Sequence, residues 1–154
     1  MSLIYMDSSA IAKLFLDEDH SAIVEAAVEV ADGIVCSVIG YIEVMGLLSR
    51  AHKQGRIDSE ARDEIVGQFE VWWAGVEQLP VSNRFISRAG FYAIKFGIRG
   101  IDGLHLFSAE EASKSGPIIF ACFDERLARV AYDCEFQVVT NPELIKKWEK
   151  PDSH

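Results

Sequence analysis

The chain has 154 residues, 49 % of them hydrophobic and 25 % charged, and a formal net charge of −9 at pH 7. This length suits one domain that buries roughly two thirds of the surface its unfolded chain exposes, and the composition excludes disorder as the main state. The acid surplus excludes a protein that holds nucleic acid by bulk electrostatics. It leaves a nuclease open, because carboxylates gathered at a metal site raise the negative count and bound divalent ions reverse the local sign. A negative surface also suits a basic protein partner.

Short apolar runs alternate with longer helical patterns. "LIYM" (3–6) reads as a strand, followed by helical patterns at 8–16 and 20–31. "GIVCS" (33–37) is a second strand ahead of helices at 39–54 and 58–75. In the latter, Ser59 or Asp58 caps the start, and Ile65, Phe69, Trp72 and Trp73 recur at helical spacing. "VEQLPV" (76–81) precedes helices at 83–96 and 102–115; then come "PIIFACF" (117–123), a helix at 125–133, "FQVVT" (136–140) and a helix at 142–148. Most strand runs are continuously apolar, as parallel strands covered on both faces are. The expected fold class is α/β, a single three-layer domain over residues 1–148 with a mainly parallel central sheet of four to five strands flanked by helices, and a short tail at 149–154. Right-handed crossovers then gather the strand C-termini along one edge, where open α/β sheets bind their ligands.

The longest apolar stretches, such as "IIFACF" at 118–123, fall far short of the roughly 18 residues a membrane span needs. No basic segment precedes the first apolar run, which Asp7 cuts short. A cytoplasmic protein with no membrane partner is expected. Cys36, Cys122 and Cys134 are widely spaced among apolar neighbours and read as buried free thiols, not as a disulfide framework or a zinc site.

The carboxylates carry the chemistry. Asp7 follows the first strand directly and Asp124 follows "IIFACF" in the same way, so both stand at the sheet's carboxyl edge. Asp102, in "RGIDGLHLFSA", sits where Gly100 and Gly103 break one pattern and a helix begins; a helix-capping role and a site role are equally open there. Glu43, in "SVIGYIEVMGLLSR", adjoins a helix face on which Ile39, Ile42, Met45 and Leu47 or Leu48 pack inward. A carboxylate there needs a partner, because an unpaired interior charge costs several kcal/mol, and a metal ion would supply one. Four converging carboxylates repel by about 1 to 4 kcal/mol per pair at contact distance, so the cluster needs protons or cations. Mg²⁺ or Mn²⁺ fits, because both favour oxygen ligands and no Cys or His set has soft-metal spacing. Since magnesium also binds substrate phosphate, such a site suits phosphodiester hydrolysis.

"IYMDSSAIAKLF", "CSVIGYIEV", "GIDGLHLFSA" and "FACFDERLARVA", in that order, resemble the four motifs of PIN-domain ribonucleases, particularly the VapC-like toxins of bacterial and archaeal toxin–antitoxin pairs. The resemblance implies a metal-dependent endoribonuclease acting on RNA, with Asp7, Glu43, Asp102 and Asp124 as its acidic metal site. It also implies homodimerisation and capture by a small antitoxin whose basic tail crosses the acidic groove. Ser8 resembles the small hydroxyl residue that follows the family's first acid; it holds a carboxylate or phosphate, or caps the next helix. Two positions depart from the pattern. Cys122 stands where the family often has Ser or Thr two residues before the last acid, and Gly40 where it has Thr or Ser shortly before the glutamate. A metal-dependent phosphatase is an alternative, but Asp7 lacks the second aspartate two positions on that haloacid-dehalogenase-like phosphatases carry. A non-catalytic partner-binding module of the same fold is opposed by the intact acid set.

Other features have bland readings. "DEDH" at 17–20 reads as a solvated loop, since four adjacent residues cannot converge on one octahedral ion. His105, three residues after Asp102, reads as a satisfied structural histidine, and His20, His52 and His154 have no companions. Lys13, Arg84, Arg88, Lys95, Arg99 and Arg126 either line a phosphate groove or form a solvated face, with Arg99, near Asp102, the foremost phosphate contact. Trp72, Trp73, Phe85, Phe91, Tyr92 and Phe96 read as core or oligomer interface in preference to base-stacking platforms.

Overall fold

Five strands, β1 (Leu3–Met6), β2 (Gly33–Ser37), β3 (Glu77–Leu79), β4 (Ile118–Ala121) and β5 (Gln137–Val139), form one sheet in the order β3-β2-β1-β4-β5. Every pairing is parallel. The computed structural model describes residues 2–151; Met1 and residues 152–154, with His154 and the end of the expected tail, lie outside the described residues. The helices are α1 (Ser8–Phe15), α2 (Ser21–Val30), α3 (Ile39–Lys53), α4 (Ser59–Ala74), α5 (Asn83–Phe96), α6 (Gly100–Ser113), α7 (Glu125–Asp133) and α8 (Pro142–Glu149). These are the elements the apolar periodicity predicts, and α6 has the most informative offset: it begins at Gly100, with Arg99 at the N-cap position and no side-chain cap, so Asp102 lies inside its first turn and is not its N-cap. No helix among the described residues is long and apolar enough to cross a membrane.

The continuously apolar strands follow from burial on both faces. In β1, Leu3 and Tyr5 enter a core with α5, α6 and α7 residues such as Phe85, Tyr92, Phe107 and Leu127. Ile4 and Met6 enter a second core with Ile11, Val44, Phe69 and Trp73 from α1, α3 and α4. The sheet is thus the middle of three layers. Trp73, Phe85 and Tyr92 are core residues as expected, whereas Phe91 is half exposed beside Ile86 and Ile94 on the same helix.

Two expectations are corrected. The inward face of α3 runs through Gly40, Val44, Leu48 and Ala51 at one-turn spacing, which leaves Ile42 67 % exposed. All three cysteines are free, but only Cys36 and Cys122 are buried; Cys134 follows the end of α7 and is exposed.

The strand order positions the site. From β1 the chain moves outward through β2 to β3, then returns across β1 to add β4 and β5 on the other side. The C-terminal ends of β1 and β4 therefore flank the topological switch point, the crevice where open α/β sheets bind ligands. The β1–β4 ladder, Leu3↔Ile118 to Met6↔Ala121, continues one step further as the Asp7 N–H donates to the Ala121 carbonyl at 3.2 Å.

Candidate active site

At this crevice a pocket of about 360 Å³ is lined by Asp7, Glu43, Asp102 and Asp124, together with Ser8, Ser9, Ile42, Arg50, Arg99 and His105. The four acids come from the β1–α1 junction, α3, the first turn of α6 and the β4–α7 junction. The sequence singles out all four as candidates, with Asp102 equally open as a helix cap.

Asp7 and Asp124 both cap helices as they line the pocket. Asp7 Oδ1 accepts from the Ala10 N–H at 3.0 Å, and Asp124 Oδ1 accepts from the Leu127 N–H at 3.0 Å, so each carboxylate is locked by the helix it starts. Asp7 is only 4 % exposed and has further support: the Ser9 hydroxyl donates to Oδ1 at 2.6 Å, and the Cys122 thiol donates to Oδ2 at 3.1 Å. Burial raises the Asp7 pKa above the ordinary carboxylate range, against the opposing pull of His105, Ser9, Cys122 and Ala10. Burial also pushes the Cys122 thiol well up, so it stays protonated and available as a donor.

Arg99 holds the next two acids. Its Nε and Nη2 donate to Asp102 Oδ2 and Oδ1 at 2.9 and 3.1 Å, and Nη2 lies 3.7 Å from Asp124 Oδ2. Asp102 is buried in this grip, while the Arg99 side chain is 67 % exposed. Glu43 has a different partner. The His105 Nε2–H donates to Glu43 Oε1 at 2.6 Å, and His105 Nδ1 is 2.7 Å from the Tyr5 hydroxyl. Burial pulls the His105 pKa down, but Glu43, Asp7 and Asp102 outweigh it and leave it raised.

The acids share a pocket without closing on a point: among the described residues, no three or more His, Cys, Asp or Glu side chains form a ready ion cage. Mutual repulsion accounts for this, as the carboxylates turn toward hydrogen-bond donors or cations, Asp102 and Asp124 toward the same guanidinium. The donor set still fits a hard divalent cation. Mg²⁺ is held through one or two carboxylates with waters and substrate phosphate, not by a complete protein cage, and these ligating atoms are all oxygen. Asp102 and Asp124 already flank a cationic guanidinium, which shows that the position between them favours positive charge.

Ser8 lines the pocket, but the carboxylate is held by Ser9, which also accepts from the Phe123 N–H at 2.8 Å and so ties α1 to the end of β4. Of the six basic residues considered, Arg99 alone lines the pocket. Arg84 pairs with Glu111, Arg88 lies over Phe91, Tyr92 and Phe107, Lys95 lies over Phe96, and Lys13 is nearly buried beside Glu18. Arg50, one turn beyond Gly46 on α3, was missed; its only sequence signal is helical spacing from Glu43. Asp17 and Asp19 of "DEDH" are exposed in the loop before α2, as expected.

The chain is similar to known proteins over most of its length. A family model described as PIN domain matches residues 4–132. The chain is 28 % identical over 127 residues to the ribonuclease VapC45 of Mycobacterium tuberculosis, covering 82 % of this chain and 88 % of that protein. Among solved structures it resembles VapC20 of Mycobacterium tuberculosis, described as a sarcin-ricin loop cleaving toxin, with TM-score 0.62 and 15 % identity over 82 % of this chain and 94 % of the other. It also resembles a chain of a toxin–antitoxin complex from Klebsiella pneumoniae, with TM-score 0.54 and 15 % identity over 75 % and 83 % of the two chains.

Proposed function

The chain belongs to the PIN domain family, and on that premise we propose that it is a divalent-metal-dependent endoribonuclease, the toxin of a toxin–antitoxin pair, with Mg²⁺ or Mn²⁺ as its ion. The observation that carries this reading is that Asp7, Glu43, Asp102 and Asp124, from four separated segments, line one pocket at the switch point of a parallel sheet. These four residues would hold the ion, which when bound supplies Lewis acidity at the phosphate and lowers the pKa of water.

The chain's own residues do the rest. Asp7 and Asp124, fixed by helix starts, and Asp102, in the first turn of α6, present oxygens with little rotational freedom. Arg99 has an exposed, fork-shaped guanidinium at the pocket mouth, suited to a phosphate oxygen once the carboxylates have another cation. Arg50 adds a second positive charge to the pocket lining, from α3. Exposed Ile42 is an apolar rim residue beside the acids. The partners proposed are RNA, a small antitoxin with a basic tail that would meet the acidic pocket, and a second copy of the chain; residues 1–148 are proposed as the functional domain.

The test is cleavage of RNA and of a small phosphomonoester by purified protein, with and without Mg²⁺ or Mn²⁺, beside Asp7→Asn. Metal-dependent RNA cleavage that disappears in the folded variant supports the reading. Equal cleavage by the variant, or hydrolysis of the phosphomonoester alone, overturns it.

A further inference from the structure

One polar chain that runs from the pocket lining into the core is not explained by the acids alone. Tyr5 and His105 are almost wholly buried, at 0 % and 1 % exposure, yet each has a side-chain partner: the Tyr5 hydroxyl meets His105 Nδ1, and His105 Nε2 meets Glu43 Oε1. These residues come from β1, α6 and α3, so only the folded chain brings them together. The Tyr5 ring stacks on Phe120 with centroids 5.5 Å apart, a contact phenylalanine would make equally well. Its hydroxyl is accounted for by the imidazole.

We propose that His105, anchored by Tyr5, is a positioning residue that holds Glu43 Oε1 and so leaves Oε2 available as an ion ligand; this rests on the four-acid reading above. Three observations carry it. Glu43 has three side-chain torsions and is one-quarter exposed, so without a fixed donor it can swing out of the pocket. Oε1 accepts from His105 at 2.6 Å, whereas Oε2 has no hydrogen-bond partner among the described residues. An ionised carboxylate only accepts, so Nε2 carries the proton in the neutral ring and in the charged one, and the restraint is the same in both. Donors behind metal-holding groups fix ligand orientation in this way, and their loss typically weakens metal affinity about 10- to 100-fold.

The experiment measures Mn²⁺ binding calorimetrically on the full chain, without RNA, for wild type, His105→Leu, His105→Gln, Tyr5→Phe and the Tyr5→Phe pairings with each His105 variant; circular dichroism melts check the fold. Glutamine can place an amide N–H where Nε2 stood but offers nothing at Nδ1. His105→Leu is expected to weaken Mn²⁺ binding about tenfold or more, His105→Gln to recover most of it, and Tyr5→Phe to weaken it a few-fold in the native background only. A purely structural role would instead lower the melting temperature and leave Mn²⁺ affinity unchanged. Folded His105→Leu with native affinity overturns the proposal, as does a Tyr5→Phe effect that persists in His105→Gln, a comparison that decides even where the leucine variant does not fold. Wild-type protein that binds no Mn²⁺ overturns the four-acid reading and this inference together; the other two outcomes leave the four-acid reading standing.

Discussion

The Cys122 thiol donates to Asp7 Oδ2 at 3.1 Å, joining two residues 115 positions apart in the chain that directly follow the adjacent strands β4 and β1. The thiol stands where the resemblance to the family's motif places a Ser or Thr, and it donates to the carboxylate from there. Its second contact, to the Asp124 carbonyl at 3.6 Å, links the two acids at the ends of β1 and β4.

Cys122→Ser is therefore expected to keep RNA cleavage within about twofold of wild type, and Cys122→Ala to lower kcat/KM about fivefold, the equivalent of one hydrogen bond worth ~1 kcal/mol. Steady-state kinetics with Mn²⁺ and a short RNA check this. Equal rates in the serine and alanine variants would show that the thiol contributes volume only.

Asp7→Asn is expected to abolish cleavage, by more than about a hundredfold, and yet to raise the melting temperature at neutral pH. Burial raises the Asp7 pKa, so the folded protein binds a proton more tightly there than the unfolded chain does. The stability from that proton is fully present below the unfolded value and is lost as pH rises through the folded one. Above that window the wild type carries a buried charge, whereas asparagine carries none and keeps the helix cap. Melting curves from pH 4 to 8 should show a gap in favour of the variant that widens with pH. A gap that is constant, or that narrows, contradicts the account.

Arg99→Gln is expected to have opposite effects on ion and substrate. Removing the guanidinium from Asp102 and Asp124 frees both carboxylates, so Mn²⁺ should bind several-fold more tightly. If Arg99 contacts substrate phosphate as proposed, its loss should raise KM for RNA and flatten its salt dependence. Calorimetry and kinetics at two ionic strengths separate the two effects, and weaker Mn²⁺ binding in the variant would place Arg99 on the ion's side instead.

Gly103→Ala is expected to destabilise the fold by about 1 to 3 kcal/mol, or roughly 3 to 10 °C in melting temperature, despite alanine's better helix propensity. A Cβ at this position would stand 2.3 Å from the Ala89 carbonyl oxygen, because α5 and α6 cross backbone to backbone there. The neighbouring Asp102 would move with α6, so activity should fall further than stability explains. An unchanged melting temperature would mean that the helices separate at little cost.

Much of this molecule is legible in the sequence. Continuous apolar runs identified the strands, because a sheet covered on both faces leaves no solvated side to alternate with. Asp7 and Asp124 were found for a local reason, since an acid directly after such a run must stand at the carboxyl edge. Asp102 was harder: two nearby glycines read as a break, yet Gly100 starts α6 and Gly103 serves a close helix crossing, so the acid is one turn inside the helix. Ile42 was misplaced because the inward face of α3 carries Gly40, seated against Ile11 of α1 and Trp73 of α4, contacts that periodicity alone does not phase.

Local patterning and the handedness of crossovers encode the order of elements, the parallel class of the sheet and the placing of Asp7 and Asp124 at its carboxyl edge, whereas the role of Glu43 and Asp102 rests also on their resemblance to the family's motifs. The tertiary structure alone decided the partners of those acids: Ser9 and Cys122 for Asp7, Arg99 for Asp102 and Asp124, and the Tyr5–His105 pair for Glu43. Most of those pairings depend on strand register and helix rotation between segments far apart in the chain, to within the few tenths of an ångström that a hydrogen bond tolerates. No local pattern of residues encodes distances that fine.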